Sequence, residues 1–157
     1  MAKRPLSSVE LAPLALATAV VIANGYYIHP IIARIAEDFD VSASTIGLVP
    51  AFNQLALALG IFLLLPLGDR FSNRRLISVF VAGQFVGVTI MAFAADFQWF
   101  AAGSTLLGFF TIAPYLLPSY ASKRVDPGQL GHVTAMLTTG VLMGILLARS
   151  GAGVIGE

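Results

Sequence analysis

Five long apolar blocks, parted by short polar turns, leave this chain a single choice of solvent. They cover residues 11–33, 46–67, 76–95, 99–121 and 132–157. Crossing a hydrocarbon core takes about 20 helical residues at about 1.5 Å rise each, so every block is long enough to span. The composition is 57% hydrophobic and 11% charged, with a mean hydropathy of +0.86, against about 25% charged residues in an ordinary soluble domain. Such a chain has too little polar surface to coat a globule in water. The expected fold is therefore an all-α membrane protein, a polytopic bundle of five transmembrane helices.

The charges sit where a bilayer would put them. Asp69, Arg70, Arg74 and Arg75 fall within seven positions, while residues 41–65 and 76–95 on either side carry no charge. With the N-terminus inside, the cytoplasmic segments hold Lys3, Arg4, Arg70, Arg74, Arg75, Lys123 and Arg124, and the outer segments hold only Arg34. That bias sets a cytoplasmic N-terminus. Glu37, Asp38, Asp40 and Asp96 fall outside, and Trp99 and Phe100 sit where an outer aromatic belt belongs. Lys3 and Arg4 before an apolar run imitate a signal peptide, but the run continues past its small residues to Ile32, the length of a retained anchor.

Several functions are excluded. The chain has no cysteine, and its two histidines, His29 and His132, fall at opposite ends of their spans, so no metal site, disulfide or thiol chemistry is expected. No phosphate cradle or nucleophile motif occurs, which leaves no catalytic residue and no cofactor. A net charge of +1 gives no sign of a nucleic-acid partner. Prolines inside the blocks are tolerable in a membrane, where neighbouring groups satisfy the freed carbonyls. Pro114 and Pro118 are expected to kink the fourth span.

Polar side chains within the spans mark either a wet cavity or bonds between helices. Asn24 and Tyr27 share one face, with His29 pointing elsewhere; Asn53, Gln54 and Gln84 pose the same choice. Tyr115 is a further pore candidate, and Tyr120 is equally an inner-surface anchor. In the fifth span Gly140, Gly144, Ala148 and Gly151 form a stripe of small residues that admits a close neighbour, and Gly83 with Gly87 makes a second packing pair. Arg149 lies well round from the stripe, so it faces a wet cavity or a carboxylate, or else reaches toward the outer surface.

Three segments resemble one family. The run 65–76 resembles the loop between helices two and three of the major facilitator superfamily. Ala23-Asn24-Gly25-Tyr26-Tyr27-Ile28-His29-Pro30 is similar to the Asn-x-Tyr-Tyr-x-x-Pro opening of its bacterial efflux-type members, the drug or arabinose efflux permeases. The third is Gly144-Ile145-Leu146-Leu147-Ala148-Arg149-Ser150-Gly151 in the fifth span. The resemblance implies twelve helices in two halves around a central cavity, this chain supplying the first half without its sixth helix. It implies transport of a small organic solute in a bacterial plasma (inner) membrane by alternating access, with protons as the coupling ion.

On that pattern Asp69 engages the N-terminal end of a helix from the other half, and Arg70, Arg74 and Arg75 offer forked donors to carboxylates or lipid phosphates at the inner gate. Asn24, Tyr27, Gln54, Gln84, Tyr115 and Arg149 become candidate cavity residues. The remaining helices of the full-length transporter would cover the small-residue stripe, and the 157 residues alone would insert without transporting. Leu65 and Ser72 stand where the family loop usually has glycine, and Ser104 stands where many drug antiporters have arginine, which argues against a typical proton-coupled drug antiporter. The competing reading is a truncated, non-transporting membrane protein that acts as an assembly or regulatory subunit.

Overall fold

The computed structural model describes residues 8–122, 125 and 127–156. Lys3, Arg4, Lys123 and Arg124 of the charge argument lie outside them, as does the side chain of Tyr120. All regular structure among the described residues is helical.

The first span is shorter as a helix than its apolar block. Helix α1 (Ser8–Ala23) stops where Asn24 and Gly25, both poor helix formers, meet a segment ending in Pro30, which has no N–H to give. Beyond it the chain runs in tight turns: Gly25 N donates to the Ile22 carbonyl and Tyr26 N to that of Ala23, each at 3.0 Å and each three residues back. Helix α2 (Ile32–Asp38) follows.

Asp40, at φ 49°, ends α2 in the left-handed conformation that glycine usually supplies. Asp40 N bonds to Glu37 O at 3.1 Å and Val41 N to Ala36 O at 2.9 Å, satisfying the last carbonyls of the helix. Ser42 then caps α3 (Ala43–Ile46) by accepting from Thr45 N at 3.2 Å. The chain thereby turns back into the membrane within a few residues.

Helices α3, α4 (Leu48–Leu64) and α5 (Leu67–Arg70) form a continuous apolar path over Ala43–Arg70, 28 residues long. The third span is α6 (Asn73–Ala92). The fourth begins with α7 (Phe97–Phe110), whose Trp99 N is held by the Asp96 carboxylate at 3.0 Å, and continues as α8 (Ala113–Ser122). Between them the helix breaks at Thr111 and Ile112. Pro114 cannot donate to the carbonyl four residues back, and Phe110 O instead accepts from Ile112 N at 2.8 Å. A 3-10 turn (Pro127–Gln129) leads into α9 (Leu130–Gly156).

The fourth span is the hub. Of its apolar stretch 61% is buried within the bundle, against 28%, 28% and 22% for the second, third and fifth spans. Helix α7 packs on α4 through Gly60 and Gly108, so closely that a β-carbon on either would collide with a main-chain carbonyl, of Phe109 or Asn53. On its other side Gly87 of α6 meets Gly103, where an added β-carbon would lie 2.9 Å from the facing carbonyl oxygen. Helix α9 lies along α1, and a β-carbon on Gly140 would come 2.5 Å from Ala15 O. Gly144 packs against Ala19 in the same way. The N-terminal half of the small-residue stripe is thus covered by the chain's own first span, not by a helix from elsewhere, because α1 presents alanines at matching four-residue spacing. Leu11, Leu117, Val125, Val133 and Leu137 then join α1, α8 and α9 in one apolar cluster.

Candidate functional site

Two broken helices meet inside the bundle. A β-carbon on Gly25, at the break after α1, would lie 3.9 Å from Thr111 Cγ2, at the break between α7 and α8. Gln84 of α6, 2% exposed, reaches both. Its Nε2 donates to Thr111 Oγ1 at 2.7 Å and lies 3.4 Å from Val21 O, in the last turns of α1. Thr111 Oγ1 in turn donates a hydrogen bond to Leu107 O at 2.7 Å. Gln84, a candidate cavity residue by sequence, is therefore in the bundle interior, bonded between helices.

The breaks also bring aromatic groups together. Tyr26 stacks on His29, ring centroids 5.6 Å apart and planes 21° from parallel, and His29 Nδ1 lies 3.2 Å from Tyr26 O. Tyr115 stands in the first turn of α8, just past the second break, and is 43% exposed. Sequence reasoning paired Asn24 with Tyr27 and passed over Tyr26. The three-residue spacing of Tyr26 and His29 is the signal that would have found it.

Tyr27 faces another way, into an open apolar groove of about 540 Å³ that it lines with Ile31, Arg34, Asp38, Leu147, Ala148 and Gly151. The small-residue stripe of the fifth span is thus divided in use: its N-terminal half, Gly140 and Gly144, packs on α1, and its C-terminal half, Ala148 and Gly151, walls this groove. Asn24 is half-buried at the end of α1. Gln54 is exposed on α4, one residue round from the buried Asn53, whose Nδ2 donates to Ser104 O at 2.7 Å. Ser104 is fully buried, and its carbonyl serves the contact of α4 with α7. Arg149 is exposed on α9 and is not among the residues lining the groove.

The charged loop is compact. Asp69 and Arg70 end the short helix α5, Phe71 and Ser72 are extended, and Arg74 and Arg75 stand in the first turn of α6, all four charges exposed. Asn73 between them is buried, and its Nδ2 has no hydrogen-bond partner among the described residues. No three His, Cys, Asp or Glu side chains among the described residues come together as a metal-binding group.

Helices of this length and apolarity, closing on one another through glycines, define a multi-pass helical membrane protein. The family model described as Major Facilitator Superfamily matches residues 14–157, and the chain belongs to that family. It is 34% identical over 150 residues to a protein of Escherichia coli (strain K12) named putative uncharacterized transporter YgaY, a match covering 96% of this chain and 38% of that one. It is 27% identical over 144 residues to the probable transporter SCO4007 of Streptomyces coelicolor (strain ATCC BAA-471 / A3(2) / M145), covering 92% of this chain and 34% of the other. The chain thus spans little more than a third of the curated relatives it matches. No solved structure matches it.

Proposed function

We propose that the chain forms the leading part of a secondary transporter that moves a small organic solute across the bacterial plasma membrane by alternating access, in the direction of efflux and driven by protons. The observation that supports this best is the meeting of two broken spans at Gly25 and Thr111, with Tyr26, His29 and Tyr115 gathered at the breaks. Irregular backbone within a membrane is tolerated only where protein buries it or where it lines a watery cavity. Tyr115, exposed on the hub helix, and Asn24 are the residues proposed to meet solute, and Arg149 to serve the cavity of the longer protein. The proposed inner gate is the loop of Asp69, Arg70, Arg74 and Arg75, with lipid phosphates among its partners. Asn73 Nδ2, a buried donor with no described partner, supports a loop that receives a further group when the gate closes.

The test is flux in everted membrane vesicles, with the protein extended by the helices its relatives possess. Energised vesicles are offered a panel of organic cations, sugars and aromatic acids. The expected result is saturable, proton-gradient-dependent movement of at least one of them, absent from vesicles holding only the 157 residues. No flux of any solute from an abundant, correctly inserted protein would favour the subunit reading instead.

Orientation has its own test, made simple by the absence of native cysteine. Ser72→Cys is expected to react with a membrane-impermeant maleimide only in everted vesicles, and Asp38→Cys only in intact cells. Labelling of the Ser72 site in intact cells would invert the proposed topology.

A further inference from the structure

We propose that Gln84 is a positioning residue, a lock that holds the break in the first span against the break in the fourth. Interhelical polar contacts such as Asn53 with Ser104 join regular helix to regular helix. Gln84 differs because both of its partners belong to interrupted backbone. One is Thr111, the residue at which α7 ends; the other is the Val21 carbonyl, just before α1 ends. An unbroken helix would hold its own geometry through its ladder. At these two places the ladder is interrupted, so the angle of each following segment depends on outside bonds.

The bond is specific in its direction. The Gln84 amide donates to the Thr111 hydroxyl, and the hydroxyl donates on to Leu107 O one turn earlier. This chain of donors fixes the Thr111 rotamer and stitches the end of α7 to α6, and serial hydrogen bonds of this kind strengthen one another where water is scarce. The segments released by the two breaks carry Tyr26 and Tyr115. Their mutual placement is therefore set by a side chain whose described hydrogen bonds go to neither phenol. This geometry stands without the transport proposal; on that proposal, it makes Gln84 a determinant of the spacing between cavity groups rather than a contact to the solute.

The experiment is thiol cross-linking of the 157-residue chain in native membranes, with Tyr26→Cys and Tyr115→Cys joined by a short bismaleimide. Ala12→Cys with Ala135→Cys, on the groove between α1 and α9, is the control pair. In the otherwise unaltered chain the tyrosine-site pair should cross-link. Gln84→Met, close in volume but without donors, should lower that yield at least threefold and leave the control pair unchanged. Thr111→Val should do the same, the two together should lower it no further than either alone, and Thr111→Ser should keep it.

An unchanged yield in Gln84→Met overturns the lock, as does a double variant whose loss is the product of the single losses. Equal loss at both cysteine pairs would mean general loosening and would also overturn it, as would absence of the cross-link in the unaltered background. If Gln84→Met fails to accumulate, Thr111→Val decides alone, and an unchanged yield there overturns the proposal.

Discussion

Gly108→Val is expected to destabilise the bundle strongly. The added β-carbon would run into the Asn53 carbonyl, part of the main chain of α4 and unable to swing aside as a side chain can. Overpacking of a core costs about 1–3 kcal/mol where neighbouring side chains can shift. Here two helices must separate, so a loss of at least about 3 kcal/mol, the upper end of that range, is expected. Separation would also break the Asn53 to Ser104 bond, one of a class that averages about 0.6 kcal/mol in membranes. Unfolding of the purified chain in mixed detergent and SDS micelles, followed by circular dichroism, reads the difference. Gly128→Ala is the control, because nothing lies within 4 Å of a β-carbon there. A Gly108→Val midpoint indistinguishable from that control would refute the close-packed contact of α4 and α7.

Asp69→Asn is expected to leave the fold intact and to lower transport in the longer protein. Asp69 is exposed, and asparagine has nearly its shape, so only the charge is lost. If the carboxylate engages the N-terminus of a helix from the other half, the contact is worth about 0.3–1 kcal/mol when exposed and up to about 2 kcal/mol when partly buried. At about 1.4 kcal/mol per tenfold change, closure of the proposed gate would weaken by up to roughly thirtyfold. A fall in flux of about two- to thirtyfold, at unchanged membrane abundance, is the expected outcome. Flux equal to the unsubstituted protein would reduce the loop to a surface anchor, and parallel loss of protein and flux would make Asp69 structural.

Which features could be read from sequence depends on whether they are written in local composition. The apolar blocks are, and they give the helical membrane bundle because the bilayer requires every backbone polar group to be satisfied within the protein. The break near Pro114 is also local, since a missing N–H acts on a carbonyl only four residues away. The early end of α1 was less legible: residues 24–33 are as apolar as a helix needs, and hydropathy does not register that Asn24, Gly25 and Pro30 disrupt a ladder. Gln84 and Asn53 were identifiable as intramembrane polar groups, yet whether each faces a cavity or a neighbouring helix is decided by which helices are adjacent. Their partners, Thr111 and Ser104, lie 27 and 51 residues away, and no spacing rule points to them. The stripe on α9 was visible as a packing surface, but its division between α1 and an open groove follows from where α1 gives way to turns.

The pairing of α1 with α9 also fixes an order of assembly. The second, third and fourth spans, which carry α4, α6 and α7, are consecutive in the chain and can close on one another as soon as the fourth has entered the bilayer. The first span has no such early partner along its alanine face. Ala15 and Ala19 wait for Gly140 and Gly144, which leave the ribosome more than a hundred residues later, so until the fifth span is made that face of α1 is covered by lipid. Loosening the seam between the first and fifth spans should therefore reduce the yield of assembled protein during biosynthesis more than it shortens the lifetime of molecules already formed, since contacts distant in sequence form late.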